Sequence, residues 1–232
     1  MPPLALIAGG AGTRLQAVSP RLPKSMVEVA GEPFISHQLR LLKKEGISRV
    51  VICAGYLGER IRDFIREGSQ FGLSVTYSFD GKKPLGTGGA LRRALPELGD
   101  LFWVLYGDSY LDVPFQPILE YFLKGSKKAL MTVFCNQDRW DKSNVLFTNG
   151  KVLNYLKERP LPEMRHIDYG LSLIRKSAFE AWRETEVFDL ADVYSSLIAE
   201  GEMLGYEVTR RFYEVGSPIG LEEIRALFEK KR

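Results

Sequence analysis

The chain has 232 residues, 45% hydrophobic and 26% charged, a globular balance that excludes disorder for most of its length and calls for no disulfide or metal staple. With 32 Lys and Arg against 29 Asp and Glu, the net charge of +3 is too mild to indicate nucleic-acid binding. No apolar run reaches membrane-spanning length, and the short apolar start lacks the basic region of a signal peptide, so a soluble cytoplasmic protein is expected.

Short apolar runs then alternate with helical patterns. Residues 4–8 predict a buried strand. Residues 33–44 predict a helix, with Phe34, Ile35, Gln38, Leu39 and Leu42 at helical spacing, Pro33 in the first turn and Gly46 as the stop. Residues 49–53 predict the next strand, and 59–66 a helix with Ile61, Phe64 and Ile65 inward. Residues 73–79 alternate like a half-buried strand, 88–98 are helical, and 101–105 form a strand ending at Tyr106-Gly107-Asp108. This order argues for a parallel sheet with helices on both faces.

The second half changes character. Strands are expected at 129–135, 145–148, 152–156 and 167–174, with Asn149-Gly150 as a hairpin turn. A helix over 190–200 has Asp189 placed to cap it. Two final strands, 204–208 and 211–215, flank Thr209-Arg210, and a helix over 221–231 closes the chain. The expected fold is one α/β domain with a mixed, mainly parallel sheet and a small antiparallel extension. Cys53 and Cys135 sit in apolar runs and read as buried strand residues; two cysteines make neither a disulfide framework nor a zinc site. His37 and His166 have no nucleophile or metal motif around them and read as structural.

The strongest chemical signal follows the first strand: Ala8-Gly9-Gly10-Ala11-Gly12-Thr13-Arg14-Leu15. Glycines at the C-terminal end of a strand let backbone N–H groups approach an anion closely. The loop is not a P-loop, because Thr13-Arg14 follows Gly12 where Lys and Ser or Thr are needed, and Leu15 stands where a dinucleotide fingerprint needs its third glycine. Its company is cationic: Arg14 lies within it, and Lys24 follows in Pro23-Lys24-Ser25-Met26. A glycine cradle, an Arg and a Lys suit a polyphosphate whose leaving group gains charge. Farther on, Gly86, Thr87 and Gly88 precede a helix; the glycines would let the main chain lie flat against a planar base and Thr87 bond its edge, or they serve only a tight turn. Asp108, just past a strand, is placed to hold a divalent metal or to cap a turn, whereas Asp112 fits a surface role.

Together these stretches resemble the sugar-1-phosphate nucleotidylyltransferases, with motifs of the form G-G-x-G-T-R-L, P-K-P-M and V-x-G-K-P. The resemblance recurs at Leu85-Gly86-Thr87-Gly88-Gly89-Ala90, at Gly107-Asp108 and at Tyr213-Glu214-Val215-Gly216-Ser217-Pro218. It implies a Rossmann-like three-layer α/β/α fold and a single nucleotidyltransferase domain over 1–232, with a nucleotide-binding half of about 1–110 and a sugar-binding half of about 111–232.

It also implies Mg2+ on Asp108 and Glu214, with Glu214 standing where the family usually has Asp, a departure that leaves open an altered metal site. Arg14 and Lys24 would be catalytic, and Ala8, Gly9, Gly10, Gly12, Thr13, Gly86, Thr87 and Gly88 would bind the nucleotide. On the sugar side, the family's Glu-Lys pair maps onto Glu158-Arg159, yet the usual ammonium favours Lys157. Asp168 and Gly170 stand where the family's Asn-Ala-Gly contacts the sugar; Asp168 would accept from sugar hydroxyls or pair with Arg165 or Arg175. Trp140 would line the sugar pocket or pack.

The implied partners are a nucleoside triphosphate and a sugar 1-phosphate, with no nucleic acid and no membrane; a homodimer is left open. The Leu-Gly-Thr-Gly-Gly-Ala form leans to GTP with a heptose or mannose 1-phosphate. Uridylyl transfer to an amino-sugar 1-phosphate is the alternative, and a catalytically silent NDP-sugar-binding regulatory subunit is the alternative of another class. Without hexapeptide repeats, no β-helix acyltransferase domain is expected.

Overall fold

The computed structural model describes residues 1–10, 22–183 and 187–230. In chain order its strands are β1 (Leu4–Ala8), β2 (Glu28–Val29), β3 (Glu32–Pro33), β4 (Arg49–Ala54), β5 (Ser74–Phe79), β6 (Leu101–Tyr106), β7 (Ser109–Tyr110), β8 (Ala129–Cys135), β9 (Val145–Thr148), β10 (Lys151–Tyr155), β11 (His166–Arg175), β12 (Met203–Val208) and β13 (Tyr213–Glu214). Its helices are α1 (Phe34–Lys44), α2 (Gly58–Ile65), α3 (Gly86–Leu98), α4 (Phe115–Lys124), α5 (Leu190–Ala199) and α6 (Pro218–Glu229). Among the described residues, no helix is long and apolar enough to cross a membrane.

One sheet of nine strands runs in the order β5-β4-β1-β6-β11-β8-β12-β10-β9. The strands β5, β4, β1 and β6 are mutually parallel, and β8 is parallel to β12. Strand β11 is antiparallel to both β6 and β8, and β10 is antiparallel to β12 and β9. The expectation of a mainly parallel sheet with a small antiparallel extension is therefore corrected. The second half of the chain supplies five strands of the same sheet, joined through antiparallel β11. Strand β9 also pairs back onto β11 at Val145 and His166, which closes β11-β8-β12-β10-β9 into a ring.

The alternation of side chains splits the core in two. Leu4, Leu6, Val50, Ile52 and Trp103 face α1, α2 and α4, while Ala5, Ile7, Val51, Phe102 and Val104 face α3 and α5. Helix α4 occupies a stretch to which sequence reading assigns no element, although Phe115, Ile118, Leu119 and Phe122 have helical spacing and are buried. Phe64 is exposed rather than inward; α2 turns only Gly58, Ile61 and Ile65 to the core. Cys53 is buried as expected, but Cys135 at the end of β8 is only partly so. Asn149 and Gly150 both take positive φ, as the two-residue turn between β9 and β10 requires.

A third, smaller core positions the site. Val27, Val29 and Phe34 pack with Tyr110, Val215, Leu221 and Ile224, tying the segment after the first loop to β7, β13 and α6. This explains a second correction. Residues 211–215 do not form a strand beside 204–208; the two-residue β13 leaves the large sheet and pairs antiparallel with β7, setting Glu214 opposite Ser109.

Candidate active site

Residues Gly12, Thr13 and Arg14 lie outside the described residues; the other predicted site residues can be placed. Ala8 and Gly10 at the end of β1, with Lys24, Ser25, Thr87, Tyr106 and Asp108, line a cavity of about 120 Å³. It sits at the C-terminal end of adjacent parallel strands, where open α/β sheets bind ligands. Lys24 begins a short 3-10 turn, Lys24–Met26, and its Nζ is 3.4 Å from Asp108 Oδ2. Beside it the Ser25 hydroxyl is buried with no hydrogen-bond partner among the described residues.

Asp108 and Glu214, 106 positions apart in the chain, converge. The Val215 N–H donates to the Asp108 carbonyl at 2.8 Å, continuing the β7–β13 pairing. Gly216 lies between the two carboxylates. A Cβ built there would stand 2.8 Å from Glu214 Oε2, 3.0 Å from Asp108 Oδ2 and 3.3 Å from Lys24 Nζ, so only glycine leaves this corner open. The two carboxylates are nonetheless not equivalent. Glu214 Oε2 accepts from the N–H groups of Gly216 and Ser217, and Oε1 accepts from the Ser217 hydroxyl, so Glu214 braces the start of α6. Among the described residues Asp108 keeps more free lone pairs: its contacts to Lys24 and to Ser109 Oγ, at 3.4 and 3.5 Å, are long.

Gly86 and Gly88 open α3, where packing also requires them to be glycine. Gly86 has φ +75°, and a Cβ there would lie 2.3 Å from the Phe188 carbonyl oxygen; one on Gly88 would lie 2.4 Å from the Phe188 ring. The N–H groups of Gly88 and Gly89 donate to that same carbonyl. These glycines admit Phe188 and the segment that leads into α5. The Thr87 hydroxyl accepts from the Leu190 N–H at 2.8 Å and also bonds Asp189, so it is engaged at the N-terminus of α5.

Sequence reading missed Asp80, just past β5. Its Oδ2 lies 3.5 Å from the Cβ position of Gly9 and 3.1 Å from that of Gly55, and it accepts from the Leu85 N–H. Its Oδ1 is buried with no partner among the described residues. Burial raises its pKa, against the Leu85 hydrogen bond and the Arg93 charge. An acid at a strand's C-terminal end was the available signal, the one that identified Asp108.

The sugar-side candidates form a second group. Lys157, Glu158 and Arg159 line a cavity of about 390 Å³ with Tyr155 and Asp189, and Lys157 Nζ is 3.1 Å from Asp189 Oδ2. Asp189 caps α5 through the Ala191 N–H, and Asp192 completes a capping box. Desolvation works against the charged Asp189, but the Ala191 hydrogen bond, Lys157 and Thr87 together hold its pKa below the usual value. Asp168 pairs with neither Arg165 nor Arg175. Its Oδ1 accepts from the Gly170 N–H at 3.0 Å, and Tyr155 bonds its side chain. Burial pushes its pKa up to about 6, against the Gly170 hydrogen bond, Lys157 and Tyr155. Gly170, at φ +91°, faces Tyr106 and Ser109, which links this group to the first cavity. Trp140 packs against Phe134 and Phe212 under the Arg211 guanidinium, and Asp112 pairs with Lys44 and Arg210 at the surface.

Comparison with known proteins bears on this geometry. The nucleotidyl transferase family model matches residues 5–160. The chain is 27% identical to the UTP–glucose-1-phosphate uridylyltransferase of Synechocystis, over 84% of this chain and 55% of that protein. It is 29% identical to the D-glycero-alpha-D-manno-heptose 1-phosphate guanylyltransferase of Campylobacter jejuni, over 81% of this chain and 82% of that one. It thus spans little more than half of the first relative. The crystal structure of HddC from Yersinia pseudotuberculosis shares the fold, with a TM-score of 0.83 at 22% identity over 98% of this chain and 100% of that one.

Proposed function

The chain belongs to the nucleotidyl transferase family, and from that premise we propose that it joins a nucleoside triphosphate to a sugar 1-phosphate, giving an NDP-sugar and pyrophosphate. A phosphate oxygen of the sugar 1-phosphate attacks the α-phosphorus, and the bond to the β-phosphate oxygen breaks. The nucleophile is already an anion, so no general base is needed; positioning and charge neutralisation carry the reaction. The observation that carries this reading is the convergence of Lys24, Asp108 and Glu214 on Gly216 beside the first glycine loop. Lys24 stabilises charge at the α-phosphate. Gly9 and Gly10, with Gly12, Thr13 and Arg14 beyond the described residues, hold the departing pyrophosphate.

The donor set fits Mg2+, which takes one or two carboxylates and completes its shell with water and phosphate oxygens. Asp108 is the better ligand, and Glu214 has one lone pair left on Oε1 while it braces α6. When bound, the ion neutralises charge on the reacting phosphates.

For the base, the reading is GTP. A carboxylate is acceptor-only, and Asp80 sets Oδ2 3.5 Å from the Cβ position of Gly9, while its buried Oδ1 has no partner among the described residues. Guanine offers two donors on one edge, whereas uracil flanks its single N–H with carbonyls that a carboxylate repels. Lys157 takes the sugar phosphate, with Arg159 beside it, and Asp168 takes sugar hydroxyls, consistent with a heptose or mannose 1-phosphate. This divides the chain at about residue 110 into a nucleotide side and a sugar side.

Pyrophosphate release across a panel of NTPs and sugar 1-phosphates with Mg2+ tests the proposal. GTP with a manno-configured phosphate is expected to react fastest, and Asp80→Asn to narrow the preference for GTP over UTP. Release with UTP alone would replace the base assignment. NDP-sugar binding without release from any pair would favour the silent regulatory subunit, the reading that Glu214's role as a brace supports.

A further inference from the structure

Away from the nucleotide crevice, the closed ring of strands gathers a second set of ligand-type side chains. Cys135 ends β8, His166 begins β11, and Glu207 lies near the end of β12. Strand β8 runs between the other two, with His166 in register with Cys135 and Glu207 with Val133. Cys135 and Val133 share a face because side chains repeat every two residues, so all three residues come to the same face and the same end of the ring. A thiol sulfur, an imidazole nitrogen and a carboxylate oxygen from these residues all lie within 4.8 Å of one another. Among the described residues no other trio of His, Cys, Asp and Glu is so placed.

The three groups are partly organised. His166 Nε2 and Glu207 Oε1 are 3.1 Å apart, and the Phe147 ring packs edge-on to the imidazole with centroids 5.0 Å apart. Cys135 and His166 are half-buried, while Glu207 is open to solvent, so one side is free for a water molecule.

We propose that Cys135, His166 and Glu207 bind a Zn2+-type transition-metal dication at this end of the ring. One sulfur, one nitrogen and one oxygen donor suit a borderline-soft ion in four-coordinate geometry with water in the fourth place. The same set is wrong for Mg2+, which prefers oxygen throughout. Binding releases the Cys135 thiol proton to solvent and replaces the His166–Glu207 contact with two bonds to the ion. The ion joins three adjacent strands at their ends, two residues before Asp168 on β11. Two cysteines, and a His166 with no metal motif around it in sequence, gave no zinc signal, because the histidine and the carboxylate come from strands 31 and 72 positions beyond Cys135.

The test uses the purified full chain, stripped of metal and titrated with Co2+ and Zn2+. One equivalent of Co2+ is expected to give a thiolate-to-cobalt charge-transfer band with tetrahedral visible bands, and Zn2+ to bleach both. Cys135→Ser should abolish the charge-transfer band, and His166→Ala should weaken Zn2+ affinity at least about tenfold, the loss that follows even removal of an outer-shell partner. Cys53→Ser should change neither. Zn2+ should raise the unfolding midpoint of the unsubstituted chain and not that of Cys135→Ser, whose cooperative melt without metal verifies its fold. Absence of the band in the unsubstituted chain, or its survival in Cys135→Ser, overturns the proposal. So does a less than tenfold loss of affinity in His166→Ala, or displacement of Zn2+ by millimolar Mg2+.

Discussion

The parallel strands β5-β4-β1-β6 and the closed ring β11-β8-β12-β10-β9 share one sheet but place their polar residues differently. On the parallel side, Lys24 and Asp108 sit beyond strand ends, with side chains 23% and 32% exposed, on segments held by the small third core. On the ring side, Asp168 and Tyr155 sit within strands, where desolvation raises both of their pKa values. A group past a strand end is positioned by what packs behind its loop. A group inside a strand is positioned by register, and it loses water to gain that precision.

Removing charge from the parallel side should have the largest effect. Lys24→Ala is expected to lower turnover by about 10²–10³-fold, the scale of losing one preorganised charge-stabilising group, without moving the unfolding midpoint. Near-normal turnover would mean that charge neutralisation does not come from this corner.

The two glycine loops then separate packing from ligand approach. Gly86→Ala forces a Cβ into the Phe188 carbonyl at positive φ and should cost roughly 2–3 kcal/mol in chemical denaturation. Gly10→Ala meets nothing within 4 Å among the described residues. It should leave stability intact and raise the KM for the triphosphate. Equal stability losses at both sites would erase the distinction.

Within the ring, Asp168 gives stability a sign. Burial pushes its pKa up to about 6 in the folded chain, above the usual aspartate value of about 3.9. The folded state therefore holds a proton that the unfolded state releases, and stability falls as pH rises from about 4 to about 6, by roughly 2 kcal/mol. Asp168→Asn should remove that fall, measured as the difference between the two proteins' denaturation curves at each pH. An unchanged difference would show that Asp168 is not desolvated.

The smallest expected effect separates two cations of one cavity. Lys157→Ala should raise the KM for the sugar phosphate about tenfold, the worth of one charged hydrogen bond, and Arg159→Ala should raise it less. The reverse order would move the phosphate to Arg159.

Much of the parallel side was legible because its signals are local. The strand at 4–8, the helix beginning at Phe34, and the acid after 101–106 all follow from period, a proline and a strand end. Helix α4 was legible too and passed over, since Phe115, Ile118, Leu119 and Phe122 carry the helical spacing. The packing of Phe188 over Gly86 and Gly88 was not legible, because that residue lies about a hundred positions on. The placement of β13 failed for the same reason: a two-residue strand has no period, and its partner, Ser109–Tyr110, is remote in sequence.

By itself the sequence determined an α/β chain with a glycine loop at the end of its first strand, a lysine and an acid suited to phosphate chemistry, and the resemblance that named their family. Local periodicity and residue chemistry suffice for that, since each depends on neighbours within a few positions. Only the tertiary structure decided that Glu214, beside Asp108 as expected, also braces α6, that Phe188 packs over Gly86 and Gly88, and that Cys135, His166 and Glu207 meet. Those meetings depend on strand register and ring closure, which arise from burying apolar faces that lie far apart along the chain.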